Sequence, residues 1–137
     1  MKKVTLKQVI KSSRTLLVDA AMVVEEIAER YDEWLADDLR ELREELRNNN
    51  YSQAAKAAYH IECVASTMGW PLVSEASLSL RHFLENLKGR PLPADVERLH
   101  LGALYLFLDR HMKDWDERGV PVLQVLQNMN PYINPIH

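Results

Sequence analysis

Apolar residues recur along this chain at steps of three and four, the period of one face of a helix. Leu16, Leu17, Ala20, Val23, Val24 and Ile27 predict a first helix over residues 13–30. A second stripe, Leu35, Leu39, Leu42 and Leu46, follows Asp32, which has the chemistry of an N-cap with Glu33 in the turn after it. Arg40, Arg43, Glu44 and Arg47 take the wet side, and Asn48-Asn49-Asn50 ends the helix. Asn50 and Gln53 have the spacing of a capping box for a third helix, whose stripe is Ala54, Ala58, Ile61, Ala65 and Met68. Gly69 ends it, and Pro71 suits the first turn of a fourth helix carrying Leu72, Ala76, Leu80, Phe83 and Leu87. Gly89 and Pro91 break the chain again.

A fifth helix is expected from Pro93 to about Arg118, with Asp95 and Glu97 at its positive end. Val96, Leu99, Ala103, Leu106 and Phe107 share one face, while Leu101, Leu104, Tyr105 and Leu108 extend apolar character around it. A helix apolar on two sides needs a second cover: the first helix, the stretch from Val122 to Met129, or another copy of the chain as a homodimer. Two prolines keep residues 130–137 from continuing a helix. Short connections between the inner helices favour antiparallel neighbours. The pattern therefore predicts an all-α fold in one domain over residues 1–137. Its parts are an up-down four-helix bundle over about 32–118, an extra N-terminal helix over about 13–30 and a C-terminal tail over 120–137.

Composition narrows the function classes. A chain of 137 residues, 47% hydrophobic and 27% charged, builds one adequate core, and its 4 Gly and 6 Pro argue against a turn-rich β fold. The formal charge is −3 with both signs intermixed along the helices, so no nucleic-acid footprint is expected. A single cysteine, Cys63, excludes an internal disulfide framework and fits the cytoplasm. Lys7, Lys11, Arg14 and Asp19 interrupt every N-terminal apolar run, so neither a signal peptide nor a membrane span is expected.

The chemistry concentrates in residues 54–84, AAKAAYHIECVASTMGWPLVSEASLSLRHFL. Ala58-Tyr59-His60-Ile61-Glu62-Cys63, then Val64 to Thr67, then Met68-Gly69, preceded by LADDLRELREELRNNNYSQAAKAA, resembles the signature region of histidine phosphotransfer (HPt) domains. The family pattern is roughly Ala-His-x-Leu-Lys-Gly, a run of small residues, then an apolar residue and Gly. The resemblance covers most of Asp32 to Met112. It implies a bundle with a phosphoacceptor histidine exposed midway along one helix. Anchored on Met68-Gly69, that acceptor position falls on Tyr59. Anchoring on His60 instead would turn Tyr59, Glu62, Ser66 and Gly69 into the core in place of Ala58, Ile61, Ala65 and Met68. One residue rotates a helix by about 100°, so His60 points well away from the direction of Tyr59. In-line phosphoryl transfer depends on accurate placement of donor and acceptor. A tyrosine phosphoester lacks the transfer potential of phosphohistidine, Glu62 stands at the family's lysine, and Cys63 at its glycine.

The resemblance thus implies an HPt-like, non-enzymatic module of a bacterial two-component phosphorelay that needs no cofactor. Its partner would be a response-regulator receiver domain or a histidine kinase, bound without conventional phosphotransfer. The expected docking surface is Tyr59, Glu62, Cys63 and Ser66, with Tyr59 as aromatic anchor and His60 on the flank. The bland reading is a solvated helix face. An alternative is active phosphotransfer through His60. A third is a metal-binding bundle, because Glu97 and His100 have the Glu-x-x-His spacing of di-iron helices. Such a site needs a second motif and two further carboxylates, which the sequence does not supply, so His100 is expected to pack at a bundle edge.

Overall fold

A computed structural model describes residues 22, 23, 30 and 32–132, and every regular element among them is helical. The chain divides into two compact units, Met1–Glu33 and Trp34–His137. The helix expected over 13–30 lies outside the described residues except for Met22, Val23 and Arg30, which are helical, and residues 133–137 also lie outside them. Asp32, expected just outside the second helix, itself has helical backbone.

The second unit holds α1 (residues 34–47), α2 (Tyr51–Thr67), α3 (Pro71–Glu85), α4 (Ala94–Asp109) and α5 (Val120–Asn128). Leu35, Leu39, Leu42 and Leu46 are buried along α1. The asparagine run then closes the helix. Asn49 adopts φ 57°, its N–H donates to the Leu46 carbonyl at 3.1 Å, and that of Asn50 to the Glu45 carbonyl at 2.9 Å. This is a Schellman ending in which asparagine tolerates the left-handed conformation. The expected capping box is absent: the Asn50 side chain makes no capping bond, and only its carbonyl serves α2, accepting from Ala54 N–H at 2.8 Å.

On α2, Ala54, Ala58, Ile61 and Ala65 are buried and Met68 is half-buried at the C-cap. Gly69 at φ 82° lets Trp70 N–H return to the Ala65 carbonyl at 2.9 Å, and Pro71 opens α3. Trp70 is buried there. His111 stacks on it at 5.5 Å and Lys113 Nζ lies 5.2 Å from its ring centre, while Asp114 N–H donates to the Gly69 carbonyl at 2.9 Å. The α2–α3 pair is antiparallel: Ser74 Oγ donates to the Glu62 carbonyl near the hinge, and Arg81, further along α3, reaches back to Tyr59 and Glu62.

The fifth predicted helix is shorter than its pattern suggested. α4 ends at Asp109, not near Arg118. His111 takes φ 53°, its N–H donates to the Leu108 carbonyl at 3.2 Å, and Met112 N–H to the Phe107 carbonyl at 2.8 Å. The chain then turns through residues 110–119, and the expected tail supplies a helix of its own. α5 packs against α3 and α4 and buries Leu123 and Leu126, giving α4 the second cover its sequence called for. The buried face of α4 is Val96, His100, Ala103, Leu104 and Phe107; Leu99, expected inside, is exposed. Gly119 sits where α5 meets the core: a β-carbon there would stand 2.5 Å from Leu72 Cδ1 and 3.0 Å from Phe107 Cε1. Among the described residues no helix is long and apolar enough to cross a membrane.

Candidate docking surface on the second helix

Burial of Ala58, Ile61 and Ala65 fixes the phase of α2, and both Tyr59 and His60 emerge from it, the first 54% exposed and the second with 63% of its side chain exposed. They lean on different neighbours. The Tyr59 ring faces α3, with Arg81 Cζ 5.2 Å from its centre in a cation–π contact. His60 faces α1, its Nε2 3.2 Å from Asp38 Oδ2. The rotation of one residue step is thus expressed as contact with two separate helices.

Arg81 organises the Tyr59 side. Its Nε donates to Glu62 Oε2 at 2.9 Å and its Nη1 to Glu85 Oε1 at 3.0 Å. Glu62 is half-buried beneath this fork, and its carboxylate is therefore balanced by the guanidinium. Sequence reasoning took Glu62 for a bare negative charge and missed the cation supplied from α3. A signal was available: equal steps outward from Trp70 at the hinge reach Tyr59 on one helix and Arg81 on the other. Cys63 is a free, exposed thiol, and Ser66 is exposed one turn beyond Glu62. The Tyr59 phenol is held above its ordinary value. Hydrogen bonding to the Cys63 side chain is the largest cause, followed by the thiol's charge, partial desolvation and Glu62, with Arg81 acting the other way. Tyr59 therefore presents a neutral O–H at physiological pH. On the His60 side, Asp38 is raised, first by burial, while His60 pulls it down.

His100 is not at a bundle edge. It is fully buried, Nδ1–H donates to the Val96 carbonyl at 2.7 Å, and that tautomer leaves Nε2 to accept from Ser79 Oγ–H at 2.8 Å. Asn130 Nδ2 donates to the Ser79 carbonyl at 2.8 Å and to Ser79 Oγ at 2.9 Å, tying the end of α5 to α3. Both imidazole nitrogens are engaged, which removes His100 as a metal ligand beside half-buried Glu97. Among the described residues no group of three His, Cys, Asp or Glu side chains is placed to hold a metal ion. Ser79 and His100 have the spacing of a nucleophile and its base, but neither is open to solvent, so the pair is a packing device.

The surface is thus an aromatic ring at mid-helix, flanked by a fork-bound arginine, a thiol and a serine. Comparison with family models, curated proteins and solved structures finds no match to this chain.

Proposed function

We propose that this protein is an HPt-like signalling module that docks a receiver domain or a histidine kinase on α2, around Tyr59, without relaying phosphate through it. The reading further takes α1 to α4 as an up-down four-helix arrangement of the HPt kind. The observation that carries it is the divergence of two successive side chains: Tyr59 stands outward against Arg81, while His60 leans toward α1 and Asp38. A partner centred on Tyr59 meets a flat aromatic surface with balanced charge and an imidazole displaced to one side. Exposed tyrosines are favoured anchors for protein partners, and removing an anchor typically costs about 2 kcal/mol or more of binding. Calorimetric titration of a panel of receiver domains tests this. Binding by at least one domain, weakened about thirtyfold by Tyr59→Ala, is the expected result; absence of any Tyr59-dependent binding overturns the proposal.

A second reading, phosphotransfer through His60, draws on its exposure and on its carboxylate partner Asp38, which holds the ring through Nε2. Incubation with a phosphorylated receiver separates the two. An acid-labile, base-stable label on the protein that disappears in His60→Gln establishes this second reading, and its absence in the wild type removes it.

A further inference from the structure

At the end of the unit far from the α2–α3 hinge, the α1–α2 turn and the α3–α4 connection enclose an open groove of about 520 Å3. Its walls are mostly apolar: Tyr51 from α2, Leu84 and Leu87 from the end of α3, and Pro91. Its charged lining consists of Lys88 and Arg90, with no acidic side chain. Neither cation makes an ion pair or a side-chain hydrogen bond among the described residues. The nearest acid on α3, Glu85, is held by Arg81.

The groove is also built. The Tyr51 hydroxyl donates to Asn49 Oδ1 at 3.2 Å and accepts from Leu92 N–H at 3.2 Å, which pins its ring between the two connections. The cationic turn is closed by Arg90 N–H donating to the Leu87 carbonyl at 3.0 Å. Within it Lys88 is held at φ 51°, a left-handed conformation that disfavours residues with a β-carbon, next to Gly89 at φ 80°. Two cations without an acidic neighbour at the rim of a concave apolar surface suit an anionic head group on an apolar ligand.

We infer that this groove binds a small amphipathic anion, an aliphatic chain ending in a carboxylate, with the chain along Tyr51, Leu84, Leu87 and Pro91 and the carboxylate between Lys88 and Arg90. The size suits a small molecule, since ligand pockets of about 300–1,000 Å3 are usual. The polarity suits it as well, because a mostly apolar wall with few convergent polar groups supplies affinity from the tail and orientation from the head. A neutral ligand leaves the cations unused, and a tail-less anion leaves the apolar wall wet. This site is separate from the Tyr59 surface, and its occupancy is independent of the proposal made for that surface.

The test is a titration of the isotope-labelled full chain with octanoate at neutral pH, followed by amide resonances, with 1-octanol and acetate as controls. Octanoate is expected to give saturable shifts in residues 49–53 and 84–90, weakened by added salt as a charge contact requires. Octanol and acetate are each expected to bind about tenfold more weakly or worse. A Lys88→Ala/Arg90→Ala double variant, folded by circular dichroism, is expected to lose about tenfold in affinity. Absence of saturable shifts at millimolar octanoate, equal binding of octanol, shifts centred elsewhere, or a folded double variant that binds octanoate unchanged each overturn the inference. If the double variant fails to fold, the octanol and salt comparisons on the wild type decide it.

Discussion

At the scale of single residues, His100 gives the sharpest consequence. Burial lowers its pKa below the ordinary 6.5, with the Val96 carbonyl opposing in part. As pH falls, the unfolded chain therefore takes up the proton before the folded one does. The stability contributed by neutral His100 is complete above about pH 6.5 and declines as pH drops below it, until folded His100 itself protonates. A slope of up to about 1.4 kcal/mol per pH unit is expected in that window from this group. Denaturant unfolding between neutral and mildly acid pH measures it, and a His100→Gln variant is expected to be less stable at neutral pH but flatter across the window. Gly119 carries a second prediction. Its backbone is helical, so Gly119→Ala is not strained by φ; the added methyl instead meets Leu72 and Phe107 in the core. Overpacking of this kind costs about 1–3 kcal/mol, read as a lower unfolding midpoint. Phase was the legible part of the candidate surface: an alanine and isoleucine stripe on α2 leaves Tyr59 outward whatever surrounds it. Arg81 was legible only in part: equal spacing from Trp70 sets it opposite Tyr59, but whether the two side chains meet depends on hinge geometry, which periodicity does not contain.

At the scale of elements, α1, α2 and α3 follow their apolar stripes, whereas the stretch after α4 does not. Its sequence offers no glycine or proline between Ala103 and Arg118, so the strongest stop signals are missing and only the basic Arg110, His111 and Lys113 hint at an end. The stop is made by His111, which enters the left-handed region and then lies flat on Trp70. A tertiary stacking contact compensates for a locally unfavoured conformation, and no local rule anticipates it. The same holds for α5, whose apolar residues read as a cover for α4 but whose anchoring runs through Asn130. Asn130→Ala removes both bonds to Ser79, at a cost of about 0.5–1.5 kcal/mol each. Amide exchange is expected to quicken in α5 and the end of α4 while α2 stays protected; uniform quickening across all helices contradicts a local anchoring role.

At the scale of the whole molecule, the described part is an all-helical unit in which antiparallel α2 and α3 carry the candidate docking surface and α4 and α5 close the other side of α3. On the proposed reading the resemblance to HPt domains lies in layout: the buried Ala58, Ile61 and Ala65 stand where it would place the core, while Tyr59, Glu62 and Cys63 depart from its chemical positions. Arg81, supplied by α3, changes the meaning of that departure. Glu62 becomes half of an ion pair that steadies the ground beneath Tyr59, which suits a binding surface and offers little to an incoming phosphate. The most direct measurement is therefore calorimetry of receiver domains against three forms of the protein: wild type, Tyr59→Ala and His60→Gln. The account predicts a binding partner whose affinity falls about thirtyfold with Tyr59→Ala, near 2 kcal/mol, and stays within about threefold with His60→Gln. Binding that survives Tyr59→Ala but is lost with His60→Gln contradicts it.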